Sequence, residues 1–154
     1  MKHLLIPIIA FLSIHTQAQE TVKWYTDMVQ AVDLSIKENK PLFLFFTGSD
    51  WCGWCKRLQS EVFLKPQFEK WAKEKVILVE LDFPRGKQLD PKIQQQNMEI
   101  AQMFEVRGYP SVWFVNASKN GSQVGFEKLG STGYVAGGAD VWLQSANQIL
   151  LSQQ

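Results

Sequence analysis

Phe45-Phe46-Thr47-Gly48-Ser49-Asp50-Trp51-Cys52-Gly53-Trp54-Cys55-Lys56-Arg57-Leu58 is the stretch on which the reading of this chain turns. An apolar run enters it, a small polar turn follows, and two cysteines spaced by two residues open a helix-forming segment. They are the only cysteines in the protein. A thiol at the first turn of a helix meets unpaired backbone N–H groups and the positive end of the helix dipole, both of which favour thiolate over thiol. A second thiol three residues later lies on the same side of that turn, within reach of the first. Such a pair suits reversible dithiol–disulfide exchange. A purely structural staple is a poorer explanation, because a bridge enclosing only Gly53 and Trp54 removes little unfolded-state entropy.

Outward from this stretch, the N-terminal segment is set apart. Leu4 to Ile14 is an apolar run behind Lys2 and His3, and Thr16-Gln17-Ala18 offers the small residues a signal peptidase reads. The run is well short of the ~20 residues that span a bilayer. Residues 1–18 are therefore expected to be a cleaved secretory signal, with cleavage after Ala18, and residues 19–154 a single domain. No cysteine follows the expected cut, so a lipoprotein anchor is not suggested. Loss of Lys2 leaves as many basic as acidic residues, and nothing points to nucleic acid or to an anionic membrane surface. His3 and His15 leave with the signal. The mature chain then has no imidazole for Ser-His-Asp or Cys-His catalysis, or for a His-containing metal site. Two thiolates supply half of a tetrahedral zinc shell, so a metal site would need a second chain.

The rest of the chain reads as alternating elements. Val22 to Tyr25 is a short strand. Thr26 or Asp27 caps a helix to about Asn39, with Val29, Val32 and Ile36 on one face. Leu42 to Phe46 is an apolar run suited to a strand buried on both faces. After the cysteines, Leu58 and Val62 continue the face of Cys55, and Pro66 imposes a break before a helical piece with Phe68, Trp71 and Ala72. Val76 to Leu81 is a second buried strand, which makes the connection a parallel crossover. Asp90-Pro91 starts a helix with Ile93, Asn97, Ile100 and Phe104 inward and Gln94, Gln95 and Gln96 as its wet face. Ser111 to Val115 and a strand from about Gln123 form an antiparallel hairpin around Asn120-Gly121. Gly130 to Gly138, with four glycines, is expected to be a mobile loop. A last helix starts at Ala139 or Asp140 and runs to Leu151, with Trp142, Ala146 and Ile149 inward.

The order β-α-β-α-β-α-β-β-α, with Trp51-Cys52-Gly53-Trp54-Cys55-Lys56 after the second strand and Gly108-Tyr109-Pro110 before the fourth, resembles the thioredoxin family. The resemblance spans Val22 to Leu151. It is closer still to small exported proteins of the bacterial Dsb type, in particular the DsbH-like oxidoreductases. Phe46 to Cys52 and Val79-Glu80-Leu81-Asp82-Phe83-Pro84 carry that likeness. The resemblance implies an α/β thioredoxin-like fold, a central mixed sheet flanked by helices on both faces. It implies Cys52 as the exposed nucleophile, Cys55 as the resolving thiol and Pro110 as a cis-proline facing them. It further implies protein disulfides or thiols as substrates, no bound cofactor, a membrane-bound thiol reductant as electron donor, a periplasmic location and a monomer.

Trp51, Gly53, Trp54, Tyr109 and Pro110 are the expected substrate-binding residues, the tryptophans as an apolar rim. Two features depart from thioredoxin: the strand Pro41 to Phe46 has no carboxylate, and Trp54 stands where thioredoxin has proline. Reduction of client disulfides is the expected direction, with oxidase or isomerase activity as the alternative. A thioredoxin-fold peptide-binding or chaperone module is a further alternative. Asp50 reads as a turn residue and Lys56 as solvated. Glu80 and Asp82 remain open between a place under the sheet near Cys55 and its solvated end.

Overall fold

Two continuous apolar runs, Leu42–Thr47 (β2) and Ile77–Asp82 (β3), pair in parallel at the centre of the molecule, Phe43 opposite Leu78 and Phe45 opposite Glu80. The computed structural model describes residues 21–152, so the expected signal segment lies outside the described residues. Around this pair Trp24–Tyr25 (β1) adds in parallel to β3, Ser111–Asn120 (β4) adds antiparallel to β2, and Gln123–Thr132 (β5) closes the far edge. The strand order is β1-β3-β2-β4-β5, a mixed five-stranded sheet. The first strand is shorter than Val22 to Tyr25, because only Trp24 and Tyr25 find partners on β3.

Five α-helices complete the order among the described residues: α1 (Met28–Glu38), α2 (Gly53–Leu58), α3 (Pro66–Lys75), α4 (Pro91–Met103) and α5 (Gly138–Leu151). Every side chain of β2 is buried, so its alternation serves two cores. Leu42, Leu44 and Phe46 pack with α1 and α4, in a cluster that includes Met28, Val32, Ile100 and Phe104. Phe43 and Phe45 pack on the other face with Cys55, Leu58, Phe68, Trp71 and Trp142 from α2, α3 and α5. The second core is largely aromatic. The Phe43 ring lies within 6.4 Å of those of Phe63, Phe68, Trp71, Phe114 and Trp142, mostly edge to face, an arrangement that adds to simple area burial.

Several expectations need correction. Asp27 caps α1, accepting from the N–H groups of Val29 and Gln30, and Asn39 ends it in the left-handed region, φ 51°. However, Val29 and Ile36 are 66% and 41% exposed, and the buried stripe is Met28, Ala31, Val32 and Ser35. Each residue turns a helix by about 100°, so a stripe centred on Met28 and Ser35 leaves Val29 and Ile36 on the flank. Gln96 is not part of a wet face. Its side chain accepts from Met28 N–H at 2.8 Å and donates to the Thr26 carbonyl at 2.9 Å, fastening α4 to the start of α1. The glycine-rich loop is shorter than expected, since β5 runs through Gly130 to Thr132 and α5 already begins at Gly138. At Gly130 the backbone has φ 154°, and a Cβ would lie 2.8 Å from Ile149 of α5, a contact only glycine allows.

Candidate active site

Both cysteines sit where β2 hands the chain to α2. Cys52 is the N-cap of α2, in extended conformation, and its Sγ accepts from the Cys55 N–H at 3.2 Å. The turn that delivers it is closed by Gly48, whose carbonyl takes the N–H groups of Trp51 and Cys52 at 3.2 and 2.8 Å. Cys52 and Cys55 form a disulfide, with Cα atoms 5.3 Å apart. This is the oxidised state of a pair placed at the positive end of a helix, where reduction yields a stabilised thiolate. Cys52 is less open than its expected role as exposed nucleophile suggests. It is 5% exposed and Cys55 1%, and both belong to the core cluster against which Trp51, Tyr109, Tyr134 and Val135 pack.

The turn rests on two carboxylates. Asp82, at the end of β3, is buried and accepts from Ser49 twice, from its N–H at 2.8 Å and its hydroxyl at 2.6 Å. Lys87 pairs with it from the solvent side at 3.0 Å, and the Asn97 side chain on α4 donates to its carbonyl. Asp50 is more than a turn residue. Its carboxylate accepts from the N–H groups of Gly86 and Arg85, at 2.6 and 3.1 Å, and so ties the turn to the loop after β3. Those backbone N–H groups, Gly86 first, hold its pKa below the usual carboxylate value. Lys56 is not simply solvated, since its Nζ donates to the Asp50 carbonyl at 2.9 Å.

Alternation along β3 places Glu80 and Asp82 on the face of Leu78, the face that carries α2. The open choice between them thus resolves into two roles. Asp82 braces the turn, and Glu80 is half-buried on the same face, where burial raises its pKa and the nearby Asp82 adds to the shift.

Aromatic side chains flank the cysteines in two groups, one around Trp51 and one around Trp54. Trp51 lies flat over Gly48, where a Cβ would come within 2.3 Å of the indole. Its Nε1 donates to the Phe83 carbonyl at 2.8 Å, the Arg85 guanidinium lies 4.0 Å from its ring, and the Tyr109 ring meets it edge-on at 5.7 Å. Tyr109 also stacks obliquely on Phe83, and burial raises its pKa. The Tyr109–Pro110 peptide bond is cis. In the second group Trp54 is 55% exposed and leans on Tyr134, ring centroids 5.0 Å apart. Tyr134 follows Gly133, which approaches the Pro110 carbonyl so closely that a Cβ there would sit 3.2 Å away. Trp51, Tyr109 and Tyr134 thus pack against the core cluster that contains Cys52 and Cys55, and Trp54 joins them through Tyr134. Between the cysteines, a Cβ on Gly53 would meet open space.

Tyr134, Arg57, Glu61 and Arg85 were not among the sequence-based candidates. Arg57 and Glu61 are four apart, a spacing the sequence displays. Tyr134 carries no local signal, because its partner Glu61 lies 73 residues away.

The model of the thioredoxin-like domain matches residues 28–136, most of the described fold and every residue described around the disulfide. The chain belongs to the thioredoxin-like family. Within that family it is DsbH-like. It is 33% identical over 120 residues to the disulfide bond reductase DsbH of Chlamydia pneumoniae, covering 77% of this chain and 72% of that protein. It is 30% identical over 91 residues to the thioredoxin-related protein DsbJ of the same organism, covering 59% of this chain and 26% of that longer protein. A solved structure of a DsbH oxidoreductase superposes with a TM-score of 0.76 at 26% identity, over 92% of this chain and 93% of that one. The thioredoxin-like fold expected from the motif order is therefore the fold of the chain. No helix among the described residues is long and apolar enough to cross a membrane.

Proposed function

We propose that this thioredoxin-like protein is an exported protein thiol–disulfide oxidoreductase that works as a disulfide reductase. The observation that carries the reading is the Cys52–Cys55 pair at the first turn of α2, with Cys52 as the N-cap. In the reduced protein the Cys52 thiolate attacks one sulfur of a client disulfide. A mixed disulfide forms and the first client thiolate leaves. Cys55 loses its proton and attacks the Cys52 sulfur. The Cys52–Cys55 bond forms, the second client thiolate leaves and takes up a proton, and two electrons have passed to the client.

The direction is supported by the residues enclosed by the pair. Gly53 and Trp54 bring no charge to the Cys52 thiolate, so the reduced form lacks the extra stabilisation that makes a strong oxidant. Likeness to a protein named a disulfide bond reductase supports the same direction. Trp51, Gly53, Trp54, Tyr109 and Pro110 would contact the client, with the backbone of Tyr109 free to pair with an extended segment. The remainder of the reading is a signal at residues 1–18, a mature periplasmic monomer from Gln19, and a membrane-bound thiol reductant that restores the dithiol.

Trapping tests the assignment. A Cys55→Ser variant should accumulate mixed disulfides with client proteins, visible on non-reducing gels, whereas Cys52→Ser should not. Accumulation with Cys52→Ser instead would reverse the roles, and accumulation with neither would remove the exchange activity.

A further inference from the structure

The wall formed by Trp54 has a support that the exchange chemistry does not require. Glu61 uses both carboxylate oxygens. One accepts from Arg57 Nε at 2.6 Å and the other from the Tyr134 hydroxyl at 2.6 Å. Above this pair the Arg57 guanidinium lies 5.4 Å from the Trp54 ring and 5.3 Å from the Tyr134 ring. Four side chains from α2, the π-helical turn Gln59–Phe63 and the loop before α5 thus form one closed group. The loop is fixed from below as well, where Trp142 Nε1 donates to the Gly133 carbonyl at 2.9 Å. A solvent-facing ion pair adds little to stability. Its consequence here is local: an exposed indole that would otherwise sample several rotamers is held beside the disulfide.

The chemistry around the disulfide fits one kind of neighbour. Trp54 is 55% exposed, its neighbour Gly53 opens on free space, and the Trp51 and Tyr109 rings pack against the core cluster that holds both cysteines. The carboxylates nearby are already engaged, Asp50 by backbone N–H groups, Asp82 by Ser49 and Lys87, and Glu61 by Arg57 and Tyr134. Resting on the function proposed above, we infer that Arg57, Glu61 and Tyr134 are positioning residues that fix Trp54 as a specificity wall. That wall selects clients with an aromatic or large aliphatic side chain next to the cysteine under attack. An aromatic partner on a pre-ordered ring improves half-saturation by about three- to tenfold over glycine at the same position.

The test uses short peptides, each closed by one disulfide, with Phe, Gly or Glu beside one cysteine. The reduced mature protein is mixed with each peptide, and its oxidation is followed by tryptophan fluorescence in single turnover, giving a half-saturating concentration and a maximal rate. The wild-type protein is expected to favour the Phe peptide in half-saturation by the stated factor. Tyr134→Phe, which keeps the ring and removes the hydroxyl, and Glu61→Ala should each shrink that preference to within about twofold at unchanged maximal rate. Trp54→Ala should abolish the preference, and Trp54→Phe should restore part of it. A wild-type protein that oxidises on all three peptides without preference overturns the inference and leaves the oxidoreductase reading standing. So does a Phe preference that survives both Tyr134→Phe and Glu61→Ala. A change in maximal rate or in the potential against glutathione, with the preference intact, would mean that the group acts on the sulfurs instead. A wild-type protein oxidised by none of the peptides would overturn both.

Discussion

Asp82→Ala should destabilise the oxidised protein by about 3 kcal/mol. The buried carboxylate accepts the Ser49 N–H and the Ser49 hydroxyl at 2.8 and 2.6 Å. A hydrogen bond to a charged group is worth ~1.5 kcal/mol at the lower end, and truncation leaves both donors facing a site with no acceptor. Two such bonds give the ~3 kcal/mol. The Lys87 ion pair adds less than about 1 kcal/mol, because the lysine side chain is half exposed and solvent screens it. Asp82→Asn keeps a carbonyl oxygen for the Ser49 N–H and should cost about 1 kcal/mol. For a domain of this size the alanine variant should melt roughly 10 °C lower. Urea unfolding followed by tryptophan fluorescence measures the difference directly. An Asp82→Ala loss below about 1 kcal/mol, or equal losses for alanine and asparagine, would refute the claim that Asp82 braces the turn through Ser49.

Gly48→Ala places a Cβ within 2.3 Å of the Trp51 indole, so the ring must leave its seat. The expected loss is about 1–3 kcal/mol, with slower exchange with client disulfides, checked by unfolding and by client reduction. Glu80→Gln reports on a carboxyl whose pKa is raised first by burial and then by Asp82. The folded form holds its proton to higher pH than the unfolded chain does. Stability is therefore lost as pH rises from the ordinary carboxylate value through the raised one, and the ionised group remains a penalty above it. Glu80→Gln should be more stable than wild type at neutral pH and no more stable near pH 4, with unfolding at both pH values as the check.

Much of this architecture was legible because its signals are local. Asp27 and Asp90-Pro91 mark helix starts, and the caps stand there, Asp90 accepting from the Lys92 N–H. The runs at Leu42 and Val76 announce strands buried on both faces, and the hairpin turns after Asn120. The α1 face is not legible in this way: Val29 and Ile36 are apolar, and hydropathy alone does not fix where a stripe is centred when Met28, Ala31 and Ser35 are also available to it. Gly130 reads as loop in the sequence, yet its missing side chain is what lets Ile149 approach β5. In the site, the cysteines, their flanking tryptophans and Gly108-Tyr109-Pro110 were legible as motifs. The supports were not. Ser49 and Asp82 are 33 residues apart, and Glu61 and Tyr134 73, and spacing along a chain does not reveal pairs that only the fold brings together.

The most direct test is the reduction potential of the Cys52–Cys55 couple, measured by equilibrating the protein with reduced and oxidised glutathione and quantifying both forms. With no charged side chain between the cysteines, the couple should lie near the thioredoxin value, about −270 mV, and the reduced protein should reduce client disulfides. A potential above about −180 mV, together with oxidation of reduced client proteins, would contradict the reductase reading.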